Sequence, residues 1–170
     1  MIEIRAANWR DVSFVASAMR DWDWREIWAT RSRIDPAGLA YQLVTMSPWA
    51  WTAGEIRDDR YHPIAALGAA QQWPGVAHAW MFATPDFRKV ARAVTDHALA
   101  VFKPALLDAG LRRLECHSMA GHGAAHRWLR RLGARIENAD SGSGGAVPAF
   151  GADGQTFYRF VWLAEPQDAS

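Results

Sequence analysis

Three extended runs, residues 50–57, 63–72 and 76–84, follow one another with only the short breaks "RDDRYHP" and "WPG" around them. Both breaks carry turn residues and are short enough for hairpins. Strands joined so closely pair antiparallel, because a parallel neighbour needs a crossover of a dozen residues or more. The middle of the chain is therefore expected to be an antiparallel meander, with Pro63 tolerated only as a strand's first residue. Directly after it the hydrophobic period changes. Val90, Val94, Ala98, Val101 and Ala105 mark the buried stripe of a long helix, from residue 86 or 87 to about 109. Pro104 should kink or split that helix, and Gly110 is a natural stop.

The flanks complete the pattern. Residues 2–5 alternate as a short strand, and Asn8 is placed to cap a helix over residues 9–20. A second helical stretch covers about 24–32, "DPAG" at 35–38 reads as a turn, and residues 39–44 can form a further short helix. Beyond the long helix come a strand at 111–118, a helix at 124–132 ended by Gly133, and strands at 135–138 and 155–163. Between the last two lies "ADSGSGGAVPAFGADG", too rich in glycine and serine for regular structure to be expected. The resulting order, β-α-α-β-β-β-α-β-α-β-β, predicts one α/β domain. It has a mixed, mostly antiparallel sheet of six to seven strands flanked by helices, over residues 1–163, with a flexible tail at 164–170.

Composition narrows the function classes. The chain has 170 residues, half of them hydrophobic, enough for one sizeable core. A net charge of +1 leaves no global footprint for nucleic acid, although Arg127, Arg130, Arg131 and Arg135 make a local basic edge. A single cysteine, Cys116, fits a reducing compartment, and no uncharged apolar run is long enough to span a bilayer. The N-terminus is charged from its third residue and does not read as a signal peptide, so a cytoplasmic protein is expected. The histidines lack compact metal-ligand spacing, and no metal site is expected. Ten tryptophans, several in "DWDWREIW" and "SPWAW", suit core filling or an aromatic wall for a substrate or a protein partner. Trp24 and Trp28, four residues apart, should share one helix face.

Two motifs add a resemblance. At the start of the long helix, "TPDFRKVARAV" sets Pro85, Phe87, Arg88, Ala91 and Ala93 at the spacings of Pro-x-aromatic-Gln/Arg-x-x-Gly-x-Gly/Ala. Later, "HGAAHRWLRRLGA" sets Ala125, Trp128, Leu132, Gly133 and Ala134 at those of Asn-x-x-Ala-x-x-aromatic-Tyr-x-x-Leu-Gly-Phe/Ala. With the element order, these resemble the GCN5-related N-acetyltransferases over nearly the whole chain. "RWLRRLGA" followed by "DGQTFYRFVWL" is also similar to the acetyltransferase-like internal virion proteins of short-tailed phages, for which the location would be the virion.

The resemblance implies acetyl-CoA as cosubstrate and an amine as acceptor, with the cosubstrate lying where the fourth and fifth strands splay apart. Its pantetheine arm would pair with the backbone near Phe82, Ala83 and Thr84. Its pyrophosphate would sit on the helix start formed by Arg88, Lys89, Val90, Ala91, Arg92 and Ala93. Three positions depart from the family pattern: Ala91 replaces a glycine, Trp80 stands near the usual carboxylate, and Leu129 replaces the usual tyrosine. Glu115 and His117 alternate with Leu114 and Cys116, share one strand face, and are the candidate bases; His78 lies on the neighbouring strand. His122, at the entrance to the later helix, is the candidate acid. Cys116 should point with Leu114 toward a covering helix and be inert. An acyl-CoA-dependent N-acyltransferase and a non-catalytic structural or interaction protein on the same fold both remain open, the latter using the tryptophan-rich N-terminal region as a protein-binding surface.

Overall fold

The computed structural model describes residues 1–164; the expected tail, apart from Ala164, lies outside the described residues. Eight strands form one sheet: β1 (Ile2–Ala6), β2 (Trp49–Arg57), β3 (Arg60–Trp73), β4 (Val76–Ala83), β5 (Arg113–Met119), β6 (Arg135–Ile136), β7 (Ala146–Val147) and β8 (Phe157–Leu163). They lie in the order β1-β2-β3-β4-β5-β8-β6, with β7 also on β8. Among the described residues only the central β4–β5 pair is parallel. On one face lie α1 (Trp9–Ser17) and α3 (Pro36–Met46), packed with α2 (Asp21–Trp28) over Ala66, Trp80 and Phe82. On the other lie α4 (Ala91–His97), α5 (Lys103–Asp108) and α6 (Gly123–Arg131). Among the described residues no helix is long and apolar enough to cross a membrane.

The meander forms as the turn chemistry predicts, and Asn8 caps α1 by accepting from the amides of Arg10 and Asp11, both at 3.1 Å. Elsewhere local chemistry is read differently in the fold. "DPAG" is a helix start, not a turn: Asp35 accepts from the Gly38 amide at 2.9 Å and Pro36 takes the first turn of α3, where a missing N–H costs nothing. Pro63 lies inside β3 because the register with β2 shifts beside Gly54, and this bulge accommodates the missing donor. The glycine-rich loop carries a two-residue strand, β7, which β8 templates from outside the segment.

The long helix is broken more thoroughly than a kink. A 3₁₀ turn, Pro85–Lys89, precedes α4, and a π-helical turn, Ala98–Phe102, joins α4 to α5. The wider turn absorbs Pro104, with the Lys103 N–H reaching back to the Ala98 carbonyl. Its extra residue also rotates the buried stripe. Val101 is exposed, and Phe102 and Leu106 enter the core where Val101 and Ala105 were expected.

Candidate active site

The centre of the sheet opens because β4 and β5 stay paired for only three residues. Val76, Ala77 and His78 register with Arg113, Leu114 and Glu115. Beyond them β4 remains paired with β3 and β5 with β8, so residues 79–83 and 116–119 diverge. The gap leads into a cavity of about 670 Å³ bordered on one side by Phe87, Arg88 and Ala91 and on the other by His78, His117 and Phe150.

On the face shared with α1–α3, His78 and Glu115 stand side by side in the parallel register, and His117 stacks on His78 with ring centroids 5.5 Å apart. Phe150, from the glycine-rich loop, stacks on the other side of His117 at 4.4 Å. Burial lowers the pKa of His78 and takes that of His117 down to about 4, the neighbouring His78 and Arg159 adding to the effect. At neutral pH both rings are uncharged. Arg159 Nε donates to His117 Nε2 at 3.2 Å, which leaves the proton of the neutral ring on Nδ1. His117 therefore offers this face a donor, and its basic nitrogen is already in use. Glu115 accepts from Arg113 Nε at 2.6 Å, while Arg113 also makes a two-pronged pair with Glu137 at 2.7 and 2.9 Å.

Other predicted residues fall into place with roles of their own. Trp80 is buried and donates to Ser47 Oγ at 2.9 Å, a packing role. Leu129 packs with Cys116, Ala134 and Phe160, and burial pushes the Cys116 thiol pKa up, leaving it a protonated core group. His122 is buried, lines the cavity and donates from Nδ1 to Glu26 at 3.1 Å under the ring of Trp22, 5.3 Å away. Trp24 and Trp28 share a face in an edge-on pair at 5.5 Å.

The phosphate-loop candidates lie together after β4. Val90 is fully buried in the core, whereas Arg88, Lys89 and Arg92 are exposed. Lys89 pairs with Asp86 at 2.9 Å and Arg92 with Asp96 at 3.6 Å. Ala91 opens α4 and is not among the residues with positive φ. Alanine is thus unstrained there and favours the helix by about 1 kcal/mol over glycine.

Sequence reasoning missed the residues that span the gap. Asp23 and Glu26, one turn apart on α2, reach β4 and β5: Asp23 Oδ2 accepts from the Ala83 amide at 2.8 Å, and Glu26 Oε2 from the Met119 amide at 2.8 Å. Their i,i+3 spacing was visible within "DWDWREIW", where the tryptophans drew attention instead.

No known family profile matches the sequence, and no curated protein does. Solved structures do. A phosphinothricin acetyltransferase of the GNAT superfamily from Sinorhizobium meliloti, in complex with acetyl-CoA, superposes with a TM-score of 0.72 at 14% identity, over 99% of this chain and 91% of that one. The protein yncA from Salmonella typhimurium, with its cofactor acetyl-CoA, gives 0.68 at 11% identity, over 99% and 96%. A ribosomal-protein-alanine N-acetyltransferase from Brucella melitensis gives 0.68 at 12% identity, over 95% and 99%. The fold is that of the GCN5-related N-acetyltransferases.

For an acetyltransferase fold, the test is whether the gap fits acetyl-CoA. The splay and the cavity leave room for it, and of the basic residues Arg88 lines the cavity while Lys89 and Arg92 are paired with Asp86 and Asp96. The arm position is more constrained. The Thr84 amide bonds back to Ile64 on β3, so by alternation the backbone groups of Ala79, Met81 and Ala83 face the gap. Both groups of Ala83 are engaged by the protein itself, its N–H by Asp23 and its C=O by the Arg20 amide at 2.9 Å.

Proposed function

We propose that the protein is an acyl-CoA-dependent N-acyltransferase that moves an acetyl group from acetyl-CoA to an amine. The observation that carries this reading is the divergence of β4 and β5 after His78, which opens a cavity between a basic helix start and two neutral histidines, His78 and His117, with Glu115 beside His78 in the strand register. Acetyl-CoA supplies an acetyl thioester already activated toward an amine. Arg88, Lys89 and Arg92, with the backbone of Ala91 and Ala93, take the pyrophosphate; the Val90 amide is already bonded to Phe87. Of Phe82, Ala83 and Thr84 only Ala83 faces the gap, so the arm runs along Ala79, Met81 and Ala83. Glu115 is the proton acceptor for the attacking amine. His117 orients the reacting groups by donating from Nδ1, and His122 is the proton donor nearest the β5 end of the gap. Positioning can supply about 7–11 kcal/mol of the barrier, so a site without the family's tyrosine still has room for turnover.

A second reading, a non-catalytic protein on the same fold such as a virion-associated or accessory component, is favoured by one observation. Leu129 is packed into the core where a proton-donating tyrosine would stand. Release of coenzyme A thiol across a panel of amines separates the two. The enzyme reading expects amine-dependent release that falls about 10²–10⁴-fold in Glu115→Gln. Binding of acetyl-CoA with no amine-dependent release selects the non-catalytic reading.

A further inference from the structure

The helix α2 is tied to both diverging strands at once. On the β4 side the Ala83 N–H is held by Asp23 Oδ2 at 2.8 Å and its C=O by the Arg20 amide at 2.9 Å. On the β5 side Glu26 Oε2 accepts from Ser118 Oγ at 3.0 Å, the Met119 amide at 2.8 Å and His122 Nδ1 at 3.1 Å. Trp22 lies against Gly121, where an added Cβ would come within 2.8 Å of the indole, so the helix seats closely on the turn after β5.

These ties consume the gap-facing backbone groups at the end of β4, those of Ala83. An extended arm carrying amides binds a bare strand edge by main-chain pairing. At Ala83, the last residue of β4, that pairing has already been made internally. Asp23 is only 4% exposed and is further held by Arg20 Nε at 2.8 Å. Burial raises its pKa against the opposing pull of Arg20 and the Ala83 amide, so the carboxylate is held in a site that disfavours its charge.

We infer that Asp23 and the Arg20 amide are an internal competitor for the acyl donor, so that the Ala83 end of the donor site opens only when the first turn of α2 leaves the β4 edge. This rests on the acyl-CoA reading and adds its regulation: the affinity measured for a donor is reduced by the fraction of molecules in which α2 is released. The helix that gates the donor also lines the cavity through Glu26 and Ile27, so an acceptor seated there acts on the same helix.

The test is calorimetric titration of acetyl-CoA into the wild type and Asp23→Ala, with hydrogen exchange at the Arg20 amide in the wild type. Removing one competing hydrogen bond should tighten binding by up to about tenfold. Saturating acetyl-CoA should speed exchange at Arg20, because its partner on Ala83 is taken over. The exchange measurement stands even if Asp23→Ala does not fold. Equal or weaker binding by a folded Asp23→Ala, or an Arg20 amide still protected in the acetyl-CoA complex, overturns the inference while leaving the acyltransferase reading intact. Binding by neither protein removes both.

Discussion

At the scale of single residues, the chemistry of the candidate site depends on which nitrogen of His117 is free. Glu137 holds Arg159 at 3.2 Å, and Arg159 in turn donates to His117 Nε2 at 3.2 Å. Burial first, then the neighbouring His78 and Arg159, keep the imidazole neutral, with its pKa near 4. Replacing Arg159 by methionine removes a positive charge and a donor, so the pKa of His117 should rise toward the ordinary 6.5. An NMR titration of the ring reads this directly, and an unchanged pKa would mean that burial alone sets it. Between pH 6.5 and 4 the unfolded chain binds a proton that folded His117 does not, so its contribution to stability is full above about 6.5 and is lost as pH falls toward 4. Arg159→Met should flatten that loss. Neither the role of Arg159 nor that of Asp23 could be picked from the sequence, because each is one of many like charges, 19 basic and 18 acidic residues in all, and its partner is set by the fold. Asp23 meets Ala83 across 60 residues, and Glu26 meets Ser118 across 92.

At the scale of elements, the sequence was most informative where structure is decided within a few residues. The hairpin breaks, the Asn8 cap and the Gly133 stop are local chemistry, and each corresponds to an element end or turn. The outcomes that differ were decided by partners. β7 exists because β8 offers it an edge, Pro63 is tolerated because β2 and β3 bulge beside it, and the α4–α5 stripe turns because a π-helical turn adds a residue before Pro104. The close fit of β3 under Trp80 is a further case. A Cβ at Gly68 would lie 2.6 Å from the Trp49 carbonyl and 2.6 Å from the Trp80 ring. In a roomy strand, replacing glycine by alanine lowers the entropy of the unfolded chain and stabilises by ~0.4–1 kcal/mol. Here the contacts include backbone that cannot swing away, so Gly68→Ala should destabilise by ~1–3 kcal/mol, seen as a lower denaturation midpoint with an unchanged slope. A stabilised variant would show that Trp80 is free to move and does not wedge the sheet.

At the scale of the whole molecule, one topological event organises the rest. Two parallel strands in the centre of an otherwise antiparallel sheet stay together for three residue pairs and then part. The helices lie on opposite faces of that opening, with the basic loop toward α4 and the stacked His78, His117 and Phe150 toward α1–α3. The element order made the meander and the acetyltransferase fold legible from sequence, and the proline, aromatic and arginine of "TPDFRKVARAV" marked the loop beside the opening. The closure of that opening by α2 was not legible, because it is made of backbone groups and two ordinary carboxylates brought together only by the completed fold. The Ala91 backbone is unstrained, and the contacts that compete with a donor lie at Ala83.

Calorimetric titration of acetyl-CoA into the wild type and Arg88→Glu decides whether the splay between β4 and β5 is an acyl-CoA site. Saturable, micromolar-range binding to the wild type is expected, lost or strongly weakened when the charge at residue 88 is reversed. The absence of binding at millimolar acetyl-CoA, in the wild type and in Asp23→Ala alike, would contradict it.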